Sequence, residues 1–213
     1  MKIAVFYHCL LSARHRPIPE EYALEMVMGQ MSALQISDLA EHADVIRVHV
    51  NGTPEETAIV ASVCDPKARV ICNGSAANSE LPTLVELRKW ASENPSAAIL
   101  YHHTKGISTP QMADRWRERM ERFMVWNWQD CIERLQNGTD AVGCHWLTPE
   151  ANPGSITSPF FGGNFWWANS NYVNRLPLPA TDTWENRYEA ESWIGRGNPR
   201  PTIFDPSPGW PTL

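Results

Sequence analysis

The 213 residues carry 18 Lys and Arg against 24 Asp and Glu, a formal net charge of −6, with 43% hydrophobic and 20% charged residues. That length suits one domain with a substantial core, and the acidic balance excludes an overall basic field that would recruit nucleic acid or an anionic membrane. No apolar run approaches the roughly 20 residues of a membrane-spanning helix, and Met1-Lys2 leads into an apolar stretch with no signal-peptide pattern, so a cytoplasmic location is expected.

In chain order, Lys2-Ile3-Ala4-Val5-Phe6-Tyr7 is a short apolar run stopping at His8 and predicts the first strand. Leu24, Val27, Met28, Met31 and Leu34 recur at three-and-four spacing and predict an amphipathic helix. Val45 to Val50 predicts a second strand closing on Asn51-Gly52, and Ala68 to Cys72 a third closing on Asn73-Gly74-Ser75. A second helix follows from Leu84, Leu87 and Ala91, with Pro82 near its start, where a missing N–H costs nothing. The fourth strand, from Ala97 through His102, runs directly into His103-Thr104-Lys105-Gly106. Met112, Trp116, Met120, Phe123, Cys131 and Leu135 then predict one long helix stopped by Asn137-Gly138, and Asp140 to Cys144 a fifth strand. Residues 147 to 163 are rich in Pro, Ser, Thr and Gly, and residues 195 to 213 contain five prolines, so neither stretch predicts a regular element. The tail is read as disordered or as a latch across the body. Alternating strands and helices imply an α/β fold with a mostly parallel sheet covered on both faces.

Ligands of open α/β sheets bind outside the carboxyl ends of the strands, which makes Tyr7, His8, Asn51, Asn73 and Gly74 candidate ligand-binding residues. His102 and His103 point to opposite faces if the strand continues, and His103 is the one expected in the site. The five cysteines are scattered without metal or redox spacing and read as reduced and structural. Ten tryptophans are a high load. Any single one suits a core, yet Phe160-Phe161-Gly162-Gly163-Asn164-Phe165-Trp166-Trp167 combines flat apolar faces, an amide and paired glycines, the composition of a pocket for hydroxyl-rich ligands. The same run also suits a buried aromatic bulge. In the helical pattern from Trp184 to Ile194, Glu189 and Glu191 lie about 200° apart, so only one can face a given pocket.

His103-Thr104-Lys105-Gly106, then Gly163-Asn164-Phe165-Trp166-Trp167-Ala168, then Glu191-Ser192-Trp193-Ile194, in that order, resemble the small GT-A-like, nucleotide-sugar-dependent glycosyltransferases of bacterial and phage type. The resemblance spans most of residues 1 to 195. It implies a single GT-A-like, Rossmann-like domain over 1–195, with a nucleotide-binding half at 1–110 and a Trp-rich acceptor half at 111–195, followed by a Pro-rich tail at 196–213. The donor would be a nucleoside-diphosphate sugar, and the acceptor a glycan, another small hydroxylated compound or a hydroxylated base in modified DNA. Glu191 would be the base, with Glu189 in reserve, and Gly163, Asn164, Trp166 and Trp167 would line the acceptor side. One departure stands out: His102-His103-Thr104-Lys105 occupies the place of the family's Asp-x-Asp metal motif. Without that pair a magnesium or manganese ion loses its oxygen ligands, so metal dependence does not carry over. Lys105, with His103, would instead offset diphosphate charge, in a cradle completed by Thr104, Gly106 and Ser108. Two other readings remain open: a metal-dependent hydrolase using His8, His103 and His145, and a non-catalytic nucleotide- or carbohydrate-binding protein in which Glu191 and Lys105 are structural.

Overall fold

The computed structural model describes residues 1–11, 20–74, 80–104, 110–150, 158–179 and 188–204. Nine strands are present among them: β1 (Ile3–Leu10), β2 (Val45–Asn51), β3 (Arg69–Cys72), β4 (Ala98–His103), β5 (Ala141–Gly143), β6 (Trp146–Leu147), β7 (Phe160–Phe161), β8 (Trp166–Asn169) and β9 (Pro201–Ile203). Seven form one sheet in the order β3-β2-β1-β4-β8-β5-β9, and β6 pairs with β7 as a separate ribbon. Strand β1 runs parallel to β2 and β4, β2 to β3, and β5 to β9, while β8 is antiparallel to β4 and β5. The helices are α1 (Glu20–Ile36), α2 (Leu39–His42), α3 (Pro54–Val63), α4 (Leu81–Glu93), α5 (Pro110–Glu121), α6 (Trp128–Gln136), α7 (Ser170–Val173) and α8 (Tyr188–Ser192). The fold is thus α/β, with a mostly parallel sheet flanked by helices. None of the described helices is long and apolar enough to cross a membrane.

Strand alternation sends successive side chains to two separate cores. Val5, Tyr7 and Cys9 of β1, with Trp167 of β8, join Val27, Met31 and Leu34 of α1 and Trp116, Met120 and Trp128. Ala4 and Phe6, with Tyr101 and Trp166, join Leu84, Leu87 and Trp90 of α4 and Tyr172, Trp193 and Ile194. Every central strand is buried on both sides, which is why β1 and β4 read as continuous apolar runs.

Three expectations need correction. The long helix predicted through Leu135 is broken: α5 ends at Glu121, a π-helical turn spans Arg122–Trp126, and α6 starts at Trp128. Trp116, Met120, Met124 and Trp128 are buried at a strict spacing of four, and that stripe drifts about 40° per step around a 3.6-residue helix; one wider turn brings it back onto the core. Residues 147 to 163 do contribute regular structure, because Leu147 belongs to β6 and Phe160–Phe161 form β7. The Pro-rich tail also supplies a strand. Among the described residues β9 pairs only with β5, and as an edge strand it tolerates Pro201; Phe204 stacks on Phe123 at 5.5 Å beneath the Arg134 guanidinium. The sheet therefore continues past residue 195, and this part of the tail is a latch.

Candidate functional site

At the carboxyl ends of the parallel strands, His49 of β2 is level with His8 of β1, and His8 with His103 of β4. Equal register in parallel strands puts all three imidazoles on one face, the face covered by α4. His8 Nδ1 lies 2.8 Å from Thr83 Oγ1 in the first turn of α4. Burial pushes its pKa down to about 4, against a smaller upward pull from Glu80. His49 Nδ1 lies 3.3 Å from Asn73 Oδ1; an amide oxygen only accepts, so Nδ1 carries the proton. Burial lowers the His49 pKa as well. Asn73 Nδ2 donates to Asn51 Oδ1 at 2.9 Å, tying the ends of β2 and β3 together.

His103 is held on both sides of its ring. Its Nε2–H donates to the Gly163 carbonyl at 2.9 Å, and its Nδ1 is 3.7 Å from Glu80 Oε1. Glu80 stands just ahead of α4, and its Oε2 accepts from the Tyr101 hydroxyl and, at 2.5 Å, from Asn164 Nδ2. Asn164 Oδ1 in turn accepts from Trp166 Nε1 at 2.9 Å. The Trp166 ring stacks on Tyr101 at 5.1 Å. Burial, then the Glu80 carboxylate, and to a smaller extent Glu191 of α8, itself buried on this same face, drive the Tyr101 phenol well above its usual pKa.

The local sequence explains the geometry between β7 and β8. Phe161 to Asn164 close a turn through Asn164 N–H to Phe161 O at 2.9 Å, with Gly163 at φ +87° and Asn164 at φ 57°. A side chain on Gly163 would occupy the space of the Met120 sulfur, so only glycine turns the chain here while offering its carbonyl to His103.

The structure brings together His8, Asn51, Asn73, Gly74, His103, Gly163, Asn164, Trp166 and Glu191 at or beside this edge. Thr104 is there in another capacity: its hydroxyl accepts from Leu10 N–H at 2.9 Å and its own N–H donates to His8 O at 3.1 Å, extending the β1–β4 pairing. Two assignments are corrected. Tyr7 and Trp167 lie on the opposite face, fully buried, because they are one residue out of phase with His8 and Trp166; the Tyr7 hydroxyl donates to Gln30 Oε1 at 2.7 Å, and Trp167 Nε1 to Met124 O at 2.7 Å. Trp166 is 1% exposed and meets the cluster through its indole N–H, so it forms a wall and offers no open ring face. Lys105, Gly106 and Ser108, and the side chain of Glu189, lie outside the described residues. His145 packs on Trp116 at 5.6 Å, and among the described residues no group of three His, Cys, Asp or Glu could hold a metal ion. The cysteines are free, and Cys9, Cys131 and Cys144 are buried.

Glu80, Tyr101 and His49 were not singled out from sequence. An acid just before Leu81-Pro82, where a helix begins beside the carboxyl edge, was the available signal for Glu80. Tyr101 and His49 sit inside strands, and only pairing register reveals that they share the face of His103.

No curated protein matches this chain. Among solved structures, it is similar to the crystal structure of 4-diphosphocytidyl-2C-methyl-D-erythritol synthase, with TM-score 0.41 and 19% identity over 96% of this chain and 88% of that one. It is also similar to CMP:2-keto-3-deoxy-manno-octonic acid synthetase complexed with CTP, with TM-score 0.47 and 12% identity over 96% of this chain and 90% of that one. A family model described as a domain of unknown function matches residues 6–192, from β1 through to the end of α8, and the chain belongs to that family, DUF8361.

Proposed function

We propose that the protein is a glycosyltransferase that moves a sugar from a nucleoside-diphosphate sugar to an acceptor hydroxyl. The observation carrying this reading is the buried cluster at the carboxyl edge of the parallel strands, where Glu80 meets Tyr101, Asn164 and His103 and Glu191 is buried on the same face. The donor would lie over the ends of β1, β2 and β4. Neutral imidazoles at His8 and His49, with Asn51 and Asn73, offer hydrogen bonds there without fixed charge.

Glu80 already meets Tyr101, Asn164 and His103, which suits a positioning role. On the resemblance, Glu191 is the base: it takes the proton of the acceptor hydroxyl as the oxygen attacks the anomeric carbon, and the bond to the diphosphate breaks with its electron pair leaving on phosphate oxygen. The side chains at the end of β4 are imidazole and hydroxyl, with His102 turned to the other face, and they do not fit a hard divalent cation. Charge on the leaving diphosphate falls instead to Lys105 and to backbone N–H groups of its segment. The acceptor would be a glycan or a hydroxylated base, the net charge of −6 disfavouring long duplex DNA.

A melting-temperature screen across nucleoside-diphosphate sugars, with and without manganese, followed by assay of released nucleoside diphosphate, tests the reading. Stabilisation by one donor class, and a loss of about 10²- to 10⁴-fold in turnover for Glu191→Gln with donor binding retained, are expected. No donor raising the melting temperature and no nucleoside diphosphate released would overturn it. The saturated bonding of Glu80 also suits a non-catalytic sugar- or nucleotide-binding protein; donor binding without turnover in the wild type would select that reading.

A further inference from the structure

The face of the sheet opposite the candidate site carries a second set of buried polar groups, centred on Gln30. This glutamine lies in α1 among Val27, Met31 and Leu34, and it is 2% exposed. Its Oε1 accepts from the Tyr7 hydroxyl at 2.7 Å, and its Nε2 donates to the main-chain carbonyl of His103 at 3.2 Å. The Glu121 carboxyl lies beside the same amide and is faced by Arg117 at 3.7 Å. Of the amide's one oxygen and two N–H donors, the two bonds use the oxygen and one donor.

The position of this amide matters because the β1–β4 ladder ends where it acts. His8 and His103 are the last paired residues. Beyond them the strands are joined by Thr104 N–H to His8 O and by Leu10 N–H to the Thr104 hydroxyl, while the His103 carbonyl is taken by Gln30 from behind the sheet. The His103 ring is fixed in front by Gly163 and Glu80, and its backbone at the rear by Gln30.

We propose that Gln30 is a positioning residue for His103, acting through the sheet from the face away from the ligand and held in register by Tyr7, with Glu121 alongside. This rests on the reading that His103 belongs to the functional site, but its test needs no substrate. Glutamine is the side chain this role requires: a methionine of similar length would fill the same space, yet it could neither accept from the Tyr7 hydroxyl nor donate to the His103 carbonyl.

The test is nuclear magnetic resonance of the full chain with ¹⁵N-labelled histidine, comparing wild type with Gln30→Met, Tyr7→Phe and Glu121→Gln. In the wild type, the His103 ring is expected to show a protonated Nε2. Gln30→Met should shift the His103 ring signals and speed amide exchange at His103 and Thr104, while the exposed His42 signals stay in place. Tyr7→Phe and Glu121→Gln should move the same His103 signals in the same direction by smaller amounts, and they carry the test if Gln30→Met does not fold. A general loss of stability would not single out His103. Unchanged His103 signals in the folded variants, or shifts of equal size at His42, would overturn the proposal. Turnover on a nucleotide sugar bears on the functional reading alone, so the two can fail separately.

Discussion

Gly163 is the residue on which the candidate site turns most directly. Its positive φ costs a substituted residue about 1–2 kcal/mol, and the Met120 sulfur fills the space a methyl group would need, adding the roughly 1–3 kcal/mol typical of overpacking. Gly163→Ala should therefore lose about 2–5 kcal/mol in urea unfolding and displace the acceptor of His103 Nε2. A loss below 1 kcal/mol would mean that Met120 swings aside and the turn is not fixed by glycine. The neighbouring Asn164 shows the same logic from the polar side: φ 57° is a conformation asparagine tolerates better than most residues, and it leaves the amide oxygen on Trp166 and the nitrogen on Glu80.

At the scale of elements, strands and amphipathic helices were legible where periodicity was strong, and α3 shows where it was not. Its apolar residues, Ala58 to Ala61 and Val63, run together without a helical stripe, but Thr53-Pro54-Glu55-Glu56 spells a capping box with proline at the helix start. Thr53 N–H donates to Glu56 Oε2 at 2.6 Å, and Glu56 N–H to Thr53 Oγ1 at 3.2 Å. Thr53→Ala should cost about 1 kcal/mol, measured by chemical unfolding; an unchanged midpoint would show that packing of Val60 alone holds α3. The π-helical turn was hidden for a different reason, because a spacing of four looks helical over any short window and its drift appears only across the whole run from Trp116 to Trp128. Strand ends were readable as a site because apolar runs gave way abruptly to His, Asn and Gly, whereas the phase of each strand was not. Tyr7 and Trp167 were placed in the site, and Tyr101 and His49 outside it, on the same missing fact: which face a residue takes is set by register against neighbours far away in sequence.

Across the whole molecule, buried histidines and a buried glutamate pull stability in opposite directions with pH. Burial lowers His8 to about 4 and His102 to about 3, and it lowers His49 as well. As pH falls below 6.5, the unfolded chain takes up protons that the folded one refuses, and their contribution is lost toward pH 4. Glu121 has the reverse sign. Burial raises it to about 7, so the folded chain keeps a proton that the unfolded chain releases near 4.5, and stability from this group is lost as pH rises from 4.5 through 7. Between pH 4.5 and 6.5 at least two histidine protons favour the unfolded state against one Glu121 proton favouring the folded state. The net difference of one proton makes stability climb with pH by about 1.4 kcal/mol per unit and level off above 7. His102 offers the cleanest control, since it is fully buried between Tyr7 and Phe165 and neither ring nitrogen meets a hydrogen-bond partner among the described residues. His102→Phe should flatten the climb, and Glu121→Gln should steepen it by removing the opposing term. Urea midpoints at pH 4.5, 5.5, 6.5 and 8 for the three proteins decide the matter: a wild type more stable at 5.5 than at 6.5, or an unaltered slope in His102→Phe, would show that other groups set the acid response.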